Sequence, residues 1–268
     1  MARGIQRLTP KFVERIWGSK HLEPLFPNQT KDTGEVWLEA TAPFDGPLPL
    51  LVKFIFTTGK LSVQVHPPDE YAALHHNSKG KTEMWHVVAA EPGAQVAAGF
   101  MKELTIEQLR AAALSGEIEH LLQWYDARPG DTFFLPAGTV HAIGEGLVMC
   151  EIQQQSDITY RLYDYGRGRE LHLDHALAVS HLEPYDPRAE ATEGLLVACD
   201  YFTTSLIRVR GRSELPGRAG QFVVVIGGKG HVAGDSARAG DAWFAESGSV
   251  TVEGQMDLIV AFVPTRTQ

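Results

Sequence analysis

Residues 130–141 read GDTFFLPAGTVH. The Gly-Asp pair predicts a turn that opens a strand, TFFL supplies β-branched and aromatic residues, and Pro136 and Gly138 predict a tight turn at the strand's end. His141 follows that turn and is aimed at the mouth of whatever the strands enclose. Residues 240–251, GDAWFAESGSVT, repeat the pattern at an offset of 110 residues. Gly-Asp, the central Phe and the second Gly coincide, while His141 becomes Thr251 and Pro136 becomes Glu246. A period of this length points to a duplicated strand unit.

Outward from this stretch, GEVWLEA, LLVKFIF, LSVQVHP, EMWHVVAA, AQVAAGF, GLVMCEIQ and ITYRLYDY alternate or run apolar between Gly, Pro and Asn turns. After residue 197 come TTSLIRVRG, QFVVVIGG, DAWFAES, SVTVEG and DLIVAFV. Short strands at this spacing predict a mainly β chain, a sandwich or barrel. Two helical interruptions are expected. PPDEYAALHH has Pro and acids at its start. The other covers about 105–125, where Thr105 and Gln108 have capping-box spacing, Ile106, Leu109, Ala113 and Leu114 form a stripe, and Gly116 divides the segment in two. Both helices are expected to cover one end of a barrel. Residues 181–197, with two prolines and several charges, read as a linker. The expected division is a metal-binding barrel over 1–180 and a second barrel over 198–268. There QFVVVIGG resembles MWHVVAAE without an acid at the place of Glu83.

The chain of 268 residues is 44% hydrophobic and 21% charged, enough to bury a core without metal or disulfide staples. A bound metal is therefore expected to be functional. The formal charge of −9 argues against nucleic acid as the main partner and leaves room for a small phosphorylated ligand held by a local basic cluster. Cys150 and Cys199 lie in apolar runs and read as reduced, buried thiols. With no apolar leader and no run of ~18 apolar residues, a cytoplasmic protein without a membrane partner is expected. The oligomeric state is not legible.

GDTFFLPAGTVH fits G-x5-P-x-G-x2-H and resembles the second motif of the cupin superfamily, small antiparallel jelly-roll barrels. That resemblance implies partner ligands on an earlier strand pair. Gln64 and His66 are two apart on a predicted strand and share one face, and Glu83 follows the first helical insertion. With His141 they offer one carboxylate, two imidazoles and an amide oxygen, a donor set suited to catalytic Zn²⁺ with an open position. A lone buried histidine is more often a satisfied core residue, so the weight rests on the constellation. His75 and His76 fall on a predicted helix, His86 on the other face of its strand from Glu83, and His172 and His175 read as structural or exposed. His120, His181 and His231 carry no signal.

Taken together, LSVQVHP, GKTEMWH, PAGTVHAIGEG and EIQQQSDITYRLYDYGR closely resemble the type I mannose-6-phosphate isomerases, in particular their short bacterial form, over roughly residues 10–175. The resemblance implies a zinc-dependent isomerase of carbohydrate metabolism that interconverts mannose 6-phosphate and fructose 6-phosphate through a cis-enediol. One Zn²⁺ per chain would sit on Gln64, His66, Glu83 and His141. The family's catalytic arginine falls on Arg161, the glutamate ten residues before it on Glu151, and a lysine two before the glutamate ligand on Lys81. Ser62, Asp157, Trp17 and Arg167 fall at substrate-binding positions. Where longer members carry a lysine, Arg167 keeps the charge but changes the hydrogen-bond geometry.

The reaction needs a base, charge stabilisation and a grip on phosphate. Arg161 suits the second, Lys81 and Arg167 the third, and Glu151 or Lys81 the first. Plainer readings stand beside these. Lys81 in NSKGKTE is a solvated loop lysine, Glu151 is salt-bridged to an arginine, and Arg161 and Arg167 pair with Asp157 or Asp164. The rival functions are another metal-dependent cupin enzyme, such as an Fe²⁺ oxygenase, and a non-catalytic sugar-phosphate-binding cupin. A related hexose phosphate such as glucose 6-phosphate is a further candidate substrate.

Overall fold

The computed structural model describes residues 4–41, 47–189 and 194–264. The chain is mainly β and forms two compact units: Met1–Ile55 with Cys150–Ile152 and Ala189–Gln268, and Phe56–Met149 with Gln153–Arg188. The division expected from sequence at 180 and 197 is drawn differently here, because the first 55 residues group with the C-terminal ones.

The first unit begins with β1 (Ile5–Arg7), β2 (Thr9–Ser19), β3 (Thr33–Glu39) and β4 (Leu50–Phe56, its last residue in the second unit). β2 pairs antiparallel with β3, and β3 with β4. β2 went unread in the sequence. Its apolar residues do not alternate into a core, and Phe12 and Ile16 are exposed.

The second unit carries β5 (Val63–Val65), α1 (Asp69–His76), β6 (Glu83–Ala90), β7 (Gln95–Phe100), α2 (Ile106–Ser115), α3 (Ile118–Leu121), β8 (Leu122–Asp126), β9 (Thr132–Leu135), β10 (His141–Ile143), β11 (Leu147–Gln154, with Cys150–Ile152 in the first unit), β12 (Tyr160–Tyr163) and α4 (Leu173–Val179). A five-stranded sheet runs β12-β5-β10-β7-β8, and β6 pairs with β9. The capping box of α2 forms as expected, with both Thr105 and Gln108 bonds present, and Gly116 ends the helix at φ +87°. The helical reading fails at Leu122–Asp126, which is β8 and pairs with β7. Of the expected stripe, Leu109 and Ala113 are buried while Ile106 and Leu114 are exposed.

The expected linker is in part a strap. Phe134 N donates to Pro187 O at 2.7 Å and His181 N to Gly138 O at 2.8 Å, so residues 181–188 are laid along β9 and the turn after it. Residues 190–193 of that segment lie outside the described ones. The first unit resumes with β13 (Leu195–Ala198), β14 (Thr203–Leu215), β15 (Gln221–Val232), β16 (Asp235–Arg238), β17 (Ala242–Ala245) and β18 (Val250–Phe262), which with β1 make a seven-stranded sheet. SVTVEG and DLIVAFV, read as two strands, are one. Gly254 carries β18 through at φ +131° between Gly211 and Gly230, where a Cβ would lie 2.6 Å from Gly230 Cα.

The repeat is structural. Gly130 and Gly240 both stand at φ +95°, and their N–H groups donate to Val87 O at 2.8 Å and Val225 O at 2.9 Å. Asp131 and Asp241 each accept from the backbone three residues earlier, Arg128 N at 2.8 Å and Arg238 N at 2.9 Å. Glu83 faces Leu135 across β6 and β9, and Gln221 faces Ala245 across β15 and β17. Gln221 therefore occupies the Glu83 position, buried, with no partner for its amide among the described residues. No described helix is long and apolar enough to cross a membrane. Both cysteines are free thiols, Cys150 buried as expected and Cys199 only half-buried.

Candidate metal centre

Strand parity builds this site. Val63 and Val65 of β5, Val140 and Ala142 at β10, and Tyr160 and Leu162 of β12 all belong to one buried core cluster. The residues between them therefore face the other side. Those residues are in register, Arg161 opposite Gln64 and Gln64 opposite His141, so three side chains stand abreast on one face. The Pro136–Gly138 turn delivers His141. Gly138 stands at φ +89°, its N–H donates to His66 O at 2.8 Å, and a Cβ there would lie 2.7 Å from the His181 ring.

His66, Glu83 and His141 place one ligand atom each within 4.8 Å of one another, the group of this kind found among the described residues. All three are buried. His66 Nε2 and His141 Nε2 each lie 3.5 Å from a Glu83 oxygen, and Gln64 Nε2 lies 3.2 Å from His141 Nε2. Ligands at 2.0–2.1 Å from a tetrahedral metal are about 3.3–3.4 Å apart, so the donors already stand near metal-binding spacing. Gln64 can present oxygen in place of nitrogen by turning its amide.

The tautomers fit as well. His66 Nδ1 is 2.8 Å from Ile158 O and His141 Nδ1 is 2.9 Å from Thr139 O. A carbonyl only accepts, so each Nδ1 carries the proton and each Nε2 turns a lone pair inward. Burial first, then the Lys81 charge, pushes the His66 imidazolium down to about 3, which keeps the ring neutral. Burial alone would raise the Glu83 carboxyl, but the Lys81 ammonium paired with it holds it well below the usual carboxylate range. Neutral imidazoles and an ionised carboxylate are the protonation states that a metal requires.

Lys81 is buried within this set and is not a solvated loop residue. Its ammonium donates to His66 Nε2 at 2.8 Å and pairs with Glu83. A cation thus already stands among the donors, on the lone pair a metal would take. Ser62 is buried and donates to Gln64 Oε1 at 3.2 Å. Arg161 is half-buried and donates through Nη1 to Glu170 O at 2.7 Å, while its Nε has no partner among the described residues. Arg167 pairs with Asp164 at 2.6 Å, as one plain reading expected, but shares it with Arg169 at 2.5 Å. Arg169 was missed, although its alternation with Arg167 in YGRGRE was the available signal. Asp157 is exposed.

Two candidates belong to the first unit. Glu151 is buried and pairs with a lysine, not an arginine: Lys53 Nζ lies 3.1 Å from Glu151 and 3.6 Å from Glu35. Trp17 is buried against Gly34, where a Cβ would lie 2.6 Å from the indole. His75 and His76 lie on α1 as expected. His86 is buried on Thr132 Oγ1 at 2.9 Å, and His75, His76 and His175 cluster with Tyr71 and Tyr160.

No protein-family model matches the chain. It is 34% identical over 270 residues to the mannose-6-phosphate isomerase ManA of Bacillus subtilis, covering 83% of this chain and 85% of that one. A crystal structure of a mannose 6-phosphate isomerase from Bacillus subtilis superposes with a TM-score of 0.82 at 28% identity, covering 97% of this chain and all of that one. A zinc-bound mannose 6-phosphate isomerase shares the fold, with a TM-score of 0.79 at 16% identity over 98% of this chain and 100% of that one.

Proposed function

The chain belongs to the mannose-6-phosphate isomerase family, and on that premise we propose that it interconverts mannose 6-phosphate and fructose 6-phosphate with one Zn²⁺ held by Gln64, His66, Glu83 and His141. The observation that carries this reading is the converged, correctly protonated donor set, its ligand atoms within 4.8 Å. Bound zinc would supply Lewis-acid polarisation of the sugar oxygens, which eases removal of the proton on the neighbouring carbon.

The remaining work falls to side chains. Arg161, abreast of Gln64 across β12 and β5, stabilises the negative charge that develops on the sugar oxygens. Lys81 Nζ, already among the donors, is the first candidate to move the proton between C1 and C2. Glu151, the other candidate base, belongs to the first unit, where its pairing with Lys53 makes it the weaker base. Arg167 and Arg169 share the single carboxylate of Asp164, which leaves one net positive charge for the phosphate. Asp157, exposed, suits a sugar hydroxyl. Ser62 acts through Gln64: once the amide is turned to present its oxygen, Ser62 Oγ accepts from Gln64 Nε2 in place of donating to Oε1.

The test is conversion of mannose 6-phosphate by zinc-loaded protein in D₂O. Fructose 6-phosphate carrying solvent deuterium at C1 is expected. Absence of turnover by protein that holds zinc overturns the assigned reaction, and product free of deuterium overturns a solvent-exchanging base.

A further inference from the structure

Two residues that the proposed chemistry leaves aside hold the segment on which it depends. Gly80–Glu83 brings both Lys81 and Glu83 to the donors, and its backbone is tied at successive residues. Gly80 N donates to Asp69 Oδ1 at 2.7 Å, Lys81 N to Pro67 O at 3.0 Å, and Thr82 N to Gln154 Oε1 at 2.8 Å. Gln154 N returns a bond to Thr82 O at 3.1 Å. The two anchors are joined to each other, with Gln154 Nε2 donating to Asp69 Oδ1 at 2.8 Å.

The Gln154 amide therefore has one orientation. Turned over, its NH₂ would meet the Thr82 N–H and its oxygen would meet a carboxylate. Gly80 fixes the spacing, since a Cβ there would lie 2.6 Å from Asp69 N and 2.7 Å from Pro68 C, both backbone atoms with no room to yield. The restraint also runs onward. Thr82 Oγ1 accepts from Ala137 N at 3.1 Å, and Gly138 N donates to His66 O at 2.8 Å. One connected network thus reaches the peptide bond that precedes Glu83 and, through the Pro136–Gly138 turn, the backbone beside His66 and His141. Helix α1, expected only to cover a barrel end, supplies the network's first residue.

We propose that Asp69 and Gln154 are positioning residues of the metal centre, fixing where Glu83 and Lys81 stand without touching metal or sugar. The proposal rests on the reading of Glu83 as a ligand. It predicts a specific pattern for Co²⁺ bound in place of zinc and read by its visible spectrum. Asp69→Ala and Gln154→Leu should each weaken Co²⁺ binding by about 10–100-fold, shift the ligand-field bands, and lower kcat while KM for mannose 6-phosphate stays within about twofold. Asp69→Asn keeps an oxygen that can accept both bonds and should retain near wild-type affinity. Gln154→Glu keeps the shape, removes the donor to Asp69 and should lose affinity; it carries the test should Gln154→Leu not fold. Folded Asp69→Ala and Gln154 variants with wild-type Co²⁺ affinity and spectrum overturn the positioning role. Wild-type protein that takes up no Co²⁺ overturns the ligand reading beneath it.

Discussion

Replacing Arg161 with Ala separates the chemistry of this site from its architecture. Arg161 makes one charge-assisted bond that the substitution deletes, Nη1 to Glu170 O at 2.7 Å. A bond of that kind contributes about 1.5–3 kcal/mol. At about 2–4 °C per kcal/mol for a chain near this size, Tm should fall by roughly 3–12 °C. Among the described residues no side-chain bond joins Arg161 to Gln64, His66, Glu83 or His141, so zinc should stay bound at one per chain. The catalytic loss is a different quantity. A donor aimed at developing oxyanion charge supplies about 2.7–4 kcal/mol, so kcat per folded, zinc-loaded molecule should fall about 10²–10³-fold. The measurement is steady-state isomerisation of mannose 6-phosphate at a temperature well below the variant's Tm, alongside zinc content. Arg161→Lys keeps the charge without the planar fork and should fall between the two. A variant that loses the expected Tm yet turns over within about threefold of wild type would refute the assignment, because that loss is below what one oxyanion donor supplies.

Two further outcomes follow from the buried charges. Lys53→Met leaves Glu35 and Glu151 buried beside an apolar chain and should cost about 3–5 kcal/mol in denaturant unfolding; a loss under about 1 kcal/mol would show that the carboxylates do not depend on it. His86, buried on Thr132, has its imidazolium pushed from 6.5 down to about 4 by burial. The folded state therefore resists a proton that the unfolded state accepts. The stability it contributes is full above pH 6.5 and is lost as pH falls through about 4, to a total of about 3 kcal/mol. His86→Gln should flatten the fall in Tm between those pH values relative to wild type, and parallel profiles would remove the effect.

That Gln64, His66 and His141 come together was legible because strand parity and a glycine turn constrain them: β5 and β10 alternate core and site faces, and β12 does so up to the register shift after Arg161. The repeat was legible for the same reason, since Gly130 and Gly240 need one backbone conformation. What the sequence concealed lies in tertiary pairing. Leu122–Asp126 continues a helical pattern until β7 claims it as a strand. Gly254 reads as a break until Gly211 and Gly230 are set beside it. Lys81 looks solvated in NSKGKTE, and only the ties of Gly80–Thr82 to Asp69, Pro67 and Gln154 turn it inward. Lys53 as the partner of Glu151 joins residues 98 positions apart, beyond any local signal.

The most direct test of the central claim is turnover of mannose 6-phosphate by the same protein before chelation, after chelation and after return of Zn²⁺. Activity should vanish with the metal and return in full at one Zn²⁺ per chain. Undiminished turnover by protein shown to be metal-free would contradict the account.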